Sequence, residues 1–162
     1  MAVPFTRSFP LQMEYSLFSR DAEEQGQIDA CKELGMAMMA YAVLGRGMLS
    51  DQVPKVGELA ADDVRQRLPR FQSVNIEKNL GLRSALEAIA RRKNTSLTQL
   101  SIAWPMARGK RAGVLILPIP GAKSRKHLEE NVRAAGIVLT LTILRKSTGS
   151  SRPVQRPALA TR

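Results

Sequence analysis

The sequence has few of the residues on which disulfides, metal sites and membrane segments depend. Cys31 is the only cysteine and His127 the only histidine among 162 residues, so no disulfide can form within the chain, which favours a reducing compartment. No apolar run approaches the ~18 residues needed to span a bilayer, and the first residues hold no apolar run long enough for a signal peptide. We expect a cytoplasmic protein with no membrane partner and no metal.

Positive charge is abundant but unevenly distributed. The formal net charge is +11, and from Arg108 onward twelve lysines and arginines face only two acidic residues. A region with this excess of positive charge attracts phosphate or nucleic acid. Because aromatic residues make up only 4% of the sequence and no nucleic-acid motif is present, we expect no nucleic-acid partner. From Arg145 the composition shifts to Ser, Gly, Pro, Arg and Thr, and we expect a disordered basic tail over 141–162.

Apolar segments alternate with segments of helical period along the rest of the chain. The patterns predict strands over 12–18, 36–44 and 114–119, and helices over 80–93, 97–108 and 124–135. The second and third strands lack polar alternation, so we expect both of their faces to be buried, as in the parallel sheet of an α/β protein. Pro105 should kink the second helix or end it early, and residues 50–75 read as a long loop.

The segment 115–131 is the strongest local candidate for a binding site. Its sequence, LILPIPGAKSRKHLEEN, places a Gly-containing turn and basic residues between a strand and a helix start. Backbone N–H groups and the helix dipole at such a place favour an anion. The pattern also fits an ordinary strand-to-helix connection with a solvated basic turn, and residue types alone leave both interpretations open.

Six segments, taken together in their order and spacing, resemble the aldo-keto reductases. They are QMEYSL at 12–17, CKELG at 31–35, AYAVLGRG at 40–47, DDVR with PRF at 62–71, QLSIAW at 99–104 and IPGAKSRKHLEEN at 119–131. The resemblance implies an α/β fold that forms part of a TIM (β/α)8 barrel. The three predicted strands are then the sixth, seventh and eighth strands of that barrel. The resemblance assigns residues 1–140 to the C-terminal part of such a domain.

That family moves a hydride between NADPH and a carbonyl group, so the resemblance implies an NADP site in this chain. At the nicotinamide end, the resemblance implies Gln12 at the carboxamide and Tyr41 stacked on the ring. It implies Leu44 and Arg46 along the pyrophosphate. At the adenosine end, it implies Gly121 and Lys123 at the ribose 2′-phosphate, with Arg125 and His127 beside them, and Glu130 and Asn131 at the adenine. The sequence departs from the family's pattern at Ala42, Ala122 and Pro105.

The family's catalytic aspartate, tyrosine, lysine and histidine have no counterpart here. Tyr15 and Tyr41 are the only tyrosines, and both match non-catalytic positions. Loss of a general acid costs a factor of ~10²–10⁴ in rate. We therefore expect an aldo-keto reductase-like oxidoreductase that is truncated and inactive alone, with a small carbonyl substrate only if a missing half completes it.

Three strands of an eight-stranded barrel also leave apolar faces and strand edges uncovered. The alternative, which the resemblance implies because some members of the family serve as channel-associated subunits, is a non-enzymatic binding or regulatory module whose partner chain covers those strands.

Overall fold

Three short parallel strands form the centre of the molecule. The computed structural model describes residues 9–51, 53 and 59–140. The strands are β1 (Leu11–Glu14), β2 (Met38–Tyr41) and β3 (Ile116–Pro118), and they lie in the order β1-β2-β3. In the register, Met38 pairs with Leu11 on one side and with Ile116 on the other. The predicted α/β class with a parallel sheet is confirmed, although each strand is shorter than its apolar segment.

Helices connect the strands and complete the described fold. They are α1 (Asp21–Glu24), α2 (Gln27–Glu33), α3 (Ser73–Arg92), α4 (Leu97–Ala112) and α5 (Arg125–Arg133), with short 3-10 turns at Gly45–Gly47, Val64–Arg67, Pro69–Phe71 and Ala134–Gly136. Helix α3 begins well before the predicted residue 80, so it takes in the end of the expected loop. None of the helices in the described ranges is long and apolar enough to cross a membrane. The predicted tail at 141–162 lies outside the described residues.

The sheet is covered on one face and open on the other. Met38 and Ala40 are fully buried. Ile116 packs closely against α4, since a Cβ added to Gly109 would lie 2.6 Å from Ile116 Cγ1. The alternate residues of the third apolar segment are exposed to 63% at Leu115, 43% at Leu117 and 39% at Ile119. We call these three residues the open face. The prediction that this strand is buried on both sides is wrong for the chain by itself, because no described element covers that side.

Helix α4 continues through Pro105, contrary to the prediction that it kinks or ends early. It runs to Ala112, and Gly113 ends it with a left-handed φ of 76°. A proline inside a helix costs ~3 kcal/mol or more. Burial of Leu100, Ile102 and Trp104 on this helix offsets that cost, since each large apolar side chain contributes ~1.5–3 kcal/mol.

A buried polar cluster joins the end of β1 to α1 and α4. Tyr15 is fully buried and its ring centroid lies 5.0 Å from that of Trp104. The Tyr15 hydroxyl donates to Glu23, which also receives hydrogen bonds from Arg20 Nη2 at 2.5 Å and Arg108 Nε at 2.8 Å. The predicted strand ends at Glu14 because the chain turns at this cluster.

Candidate functional site

A cavity of about 450 Å³ lies beyond the carboxyl ends of β2 and β3. We call it the strand-end cavity. Ligands of parallel α/β folds bind at this edge of the sheet. Seven of the ten residues that the resemblance assigned to a cofactor line it: Leu44, Arg46, Gly121, Lys123, His127, Glu130 and Asn131. Gln12, Tyr41 and Arg125 are not among the lining residues.

The loop after β2 forms one wall and adopts an uncommon backbone conformation. Arg46 has a φ of 57° and Ala42 a φ of 52°, which non-glycine residues rarely adopt. The N–H groups of Gly47 and Leu49 both donate to the carbonyl of Leu44, each at 3.0 Å. These bonds hold a tight turn that brings Leu44 and Arg46 to the cavity, and a strained backbone at a cavity wall is common at ligand sites.

The turn after β3 and the start of α5 form the opposite wall. Ser124 caps α5, since its hydroxyl accepts the N–H of His127 at 3.2 Å. Asn131 is 8% exposed, and its side-chain amide donates to the carbonyl of Gly121 at 3.4 Å. The first turn of α5 carries no acidic residue, so its dipole and the side chain of Lys123 make this wall positive.

Charges of both signs meet around the strand-end cavity. Arg46, Lys123 and Lys126 are its cations, while Asp51 and Glu130 contribute carboxylates. The resemblance assigned neither Lys126 nor Asp51 to the cofactor. Lys126 and Arg125 are neighbours in the same basic run, and the sequence does not indicate which of them lines the cavity. The helical geometry of α5 places Lys126 there.

Asp63, in the segment between β2 and α3, carries a negative charge whose field reaches Lys123. Its carboxylate is held by Arg65, whose Nε donates at 2.9 Å and Nη2 at 2.5 Å. Hydrogen bonds from the side chain and backbone of Arg65, with a smaller electrostatic contribution from Lys123, lower the pKa of Asp63 to about 2. Asp63 is therefore ionised at neutral pH.

Three of the predicted cofactor residues do not line the cavity. Arg125 is 91% exposed and pairs with Glu129 at 2.8 Å. Gln12 is exposed on β1 and Tyr41 is half-buried at the end of β2. In the register Gln12 lies beside Met39, which pairs in turn with Leu117, so Gln12 shares the side of the open face.

The N-terminus of α4 adds a further wall that sequence reasoning did not include. Thr98 lines the cavity and is 4% exposed. Ser96 caps this helix, and its hydroxyl also donates to Glu130 Oε1 at 2.5 Å. The sequence offers either Thr95 or Ser96 as the cap, but no local pattern indicates a contact across 34 residues. Within the described residues, no group of three or more His, Cys, Asp or Glu is placed to hold a metal ion.

Several solved structures of oxidoreductases share the fold of this chain. The glycerol dehydrogenase of Gluconobacter oxydans superposes with a TM-score of 0.76 at 24% identity, over 93% of this chain and 44% of its own. An aldo/keto reductase of Klebsiella pneumoniae, solved with NADP and acetate, gives a TM-score of 0.62 at 23% identity, over 90% and 40%. The sheet and helices described above are therefore part of a TIM barrel.

Sequence comparison gives closer relatives. The aldo-keto reductase yakc of Schizosaccharomyces pombe, whose name specifies NADP(+), is 41% identical over 132 residues, and the aldo-keto reductase str7 of Strobilurus tenacellus is 37% identical over 132 residues. Each match covers 80% of this chain and 38% of the relative, so the chain spans about two fifths of the length of these relatives. A sequence profile described as the Aldo/keto reductase family matches residues 6–144, and the chain therefore belongs to the aldo-keto reductase family.

Proposed function

We propose that the strand-end cavity binds the adenosine 2′-phosphate and pyrophosphate part of NADP(H), and that the 162-residue chain alone does not reduce carbonyl compounds. In a complete barrel, the same residues would serve an NADPH-dependent reductase of aldehydes or ketones. The observation that carries the proposal is the convergence of Arg46, Lys123 and Lys126 on one cavity with Glu130 and Asn131. The name of the yakc relative, which specifies NADP(+), supports the same cofactor.

The chemistry of the cavity fits this ligand. A volume of about 450 Å³ lies within the ~300–1,000 Å³ range of small-molecule sites. A phosphate dianion is stabilised by Lys123 and by the N-terminus of α5, as charged hydrogen-bond donors and helix dipoles both favour anions. Glu130 and Asn131 offer the acceptor and amide groups that a purine edge requires. When bound, NADPH would supply the hydride, and these residues would hold and orient it.

Neither tyrosine of the chain supports a catalytic step. The family's general acid is a tyrosine whose pKa a lysine lowers. Burial, followed by the adjacent Glu23 carboxylate, raises the pKa of Tyr15 above its ordinary value, which makes Tyr15 a poorer acid. Tyr41 matches the ring-stacking position of the family. The 162-residue chain should therefore bind the cofactor without turnover.

The direct test is a titration of NADPH fluorescence against the full chain and its Lys123→Ala variant. A hydrogen bond to a charged group is worth ~1.5–3 kcal/mol, so we expect the Kd for NADPH to rise by roughly 10- to 150-fold. The Kd for NADH, which lacks the 2′-phosphate, should not change. Lys110→Ala is the charge-matched control, since Lys110 is exposed near the end of α4 and does not line the cavity.

A second pair of variants separates the lining residue from its neighbour. Lys126 lines the cavity, whereas Arg125 faces solvent and pairs with Glu129. Lys126→Ala should weaken NADPH binding more than Arg125→Ala, although the resemblance assigned the contact to Arg125. Equal NADPH affinity in the wild type, Lys123→Ala and Lys126→Ala would rule out a phosphate site in this cavity.

A second candidate function rests on the open face. Leu115, Leu117 and Ile119 are exposed in a row, and apolar patches of this kind mark interaction sites. The chain would then act as a non-enzymatic binding or regulatory module with a partner chain on this face. A stoichiometric complex that is lost with Leu117→Glu but retained with Leu34→Glu would favour it. Leu34 is a suitable control because it is 65% exposed and lies outside the open face.

A further inference from the structure

Ser96 connects two helices through a single hydroxyl group. Its oxygen accepts the backbone N–H of Gln99 at 3.1 Å, and the Gln99 side chain accepts the N–H of Ser96 at 3.2 Å in return. The hydroxyl group donates its hydrogen to Glu130 Oε1 on α5, and the two oxygens lie 2.5 Å apart. Ser96 thus caps α4 and fixes a carboxylate of the strand-end cavity at the same time.

The fixed carboxylate keeps one oxygen available. Within the described part of the chain, Glu130 Oε1 accepts from Ser96 and no hydrogen bond to Oε2 is present. A carboxylate group accepts hydrogen bonds and donates none. A ligand group that meets Oε2 must therefore be a donor.

We propose that Ser96 is a positioning residue that sets the preference of the cavity for a nucleobase with an exocyclic amino group. It does so by holding Glu130 Oε1, which leaves Oε2 to accept that amino group. The inference rests on the proposed function, because it requires the adenosine end of NADP(H) in this cavity. Thr98, on the first turn of the same helix, lines the cavity, so the helix start that Ser96 caps belongs to the binding wall.

Nicotinamide hypoxanthine dinucleotide phosphate is the informative probe. It replaces the amino group of adenine by a carbonyl, which would place an acceptor against the Glu130 carboxylate and leave both groups unpaired. Removing a partner from a charged hydrogen bond changes affinity by roughly 10- to 150-fold. For the wild-type chain, the Kd for the reduced hypoxanthine analogue should therefore exceed the Kd for NADPH by about that factor.

Variants of Ser96 separate positioning from helix capping. Ser96→Asp keeps a good N-cap but replaces the donor by a carboxylate, so the ratio of the two Kd values should fall at least about fivefold. Ser96→Thr keeps both the cap and the donor and should restore the wild-type ratio. Gln99→Ala removes the other half of the capping pair but not the bond to Glu130, and its ratio should stay near that of the wild type.

The outcomes distinguish this inference from the proposed function. No binding of either dinucleotide by the wild type would overturn both. Binding with an adenine preference that Ser96→Asp leaves intact would overturn only the positioning role. If Ser96→Asp does not fold, as its thermal melt would show, Ser96→Gly takes its place, since glycine is an acceptable N-cap without a hydroxyl. In a Glu130→Ala background, the Ser96 substitution should have no further effect on the ratio, and an additional loss there would also contradict the proposal.

Discussion

Glu23 is the carboxylate on which Tyr15, Arg20 and Arg108 converge, and its replacement by glutamine should be strongly destabilising. The side chain of Glu23 is only 15% exposed, and those of Arg20 and Arg108 are 18% and 24% exposed. Glu23→Gln keeps the shape but removes the charge. The guanidinium groups of Arg20 and Arg108 then lose the part-buried carboxylate that both of them bond in the wild type.

The expected loss follows from the cost of breaking a buried ion pair. Removing one partner of such a pair costs ~3–5 kcal/mol, which is a large share of the ~5–15 kcal/mol that folds a typical domain. For a chain of this length, 1 kcal/mol lowers the melting temperature by ~2–4 °C. We therefore expect Glu23→Gln to melt roughly 6–20 °C below the wild type.

The same cluster predicts how stability changes in acid. Burial alone would raise the pKa of Glu23, but the hydrogen bonds from Tyr15, Arg20 and Arg108 outweigh it, and the pKa lies below its ordinary value of 4.5. A carboxyl whose pKa is lower in the folded state stabilises the fold above its unfolded pKa. That stabilisation is lost as the pH falls below about 4.5 towards the folded pKa, so the wild type and Glu23→Gln should converge in stability under acid.

Thermal melts followed by circular dichroism at pH 7 and at several lower pH values would measure both effects. Glu129→Gln is the matched control, because Glu129 is 47% exposed and its partner Arg125 is 91% exposed. Surface ion pairs of that kind contribute ~0–1 kcal/mol, so this variant should melt close to the wild type. Equal melting temperatures for the two glutamine variants at pH 7 would refute the assigned role of the cluster.

Three further substitutions test packing and the open face. Gly109→Ala should destabilise the fold by ~1–3 kcal/mol in chemical denaturation, because the new Cβ would lie 2.6 Å from both Ile116 Cγ1 and the Val114 carbonyl oxygen; unchanged stability would contradict this packing. Gly81→Ala should instead stabilise α3 by ~1 kcal/mol, because beyond the backbone of its own helix the new Cβ would have no atom within 4 Å. Leu117→Ser should reduce self-association measured by light scattering, with little change in stability, since Leu117 is 43% exposed. Unchanged self-association would argue against the open face as an association surface.

The sequence predicts the parts of the fold that depend on local chemistry. Alternating apolar and helical segments gave the α/β class, and Ser96 and Ser124 mark helix starts because their side chains accept backbone N–H groups. The local rule failed at Pro105, where a helix that buries a large apolar face continues through the proline. The order of the six matching segments also indicated the family, which the profile over residues 6–144 shows.

The candidate site could be predicted only in part, because its geometry depends on contacts between distant segments. The strand ends that carry Leu44 and Lys123 were recognisable, and both residues line the strand-end cavity. Nothing in the local pattern places Ser96 against Glu130, or Asp63 within the field of Lys123. Such contacts arise from how α4, α5 and the loop after β2 pack, and that packing is set by the whole chain.

The open face and the strand-end cavity meet at Ile119, so we expect the two proposed roles of the chain to depend on each other. Ile119 belongs to the open face and also lines the cavity. A partner that covers the open face would therefore become part of the environment of the cofactor. If the partner changes the affinity for NADPH by some factor, NADPH must change the affinity for the partner by the same factor. A partner that binds this face with identical affinity in the presence and absence of saturating NADPH would mean that Ile119 does not link the two surfaces.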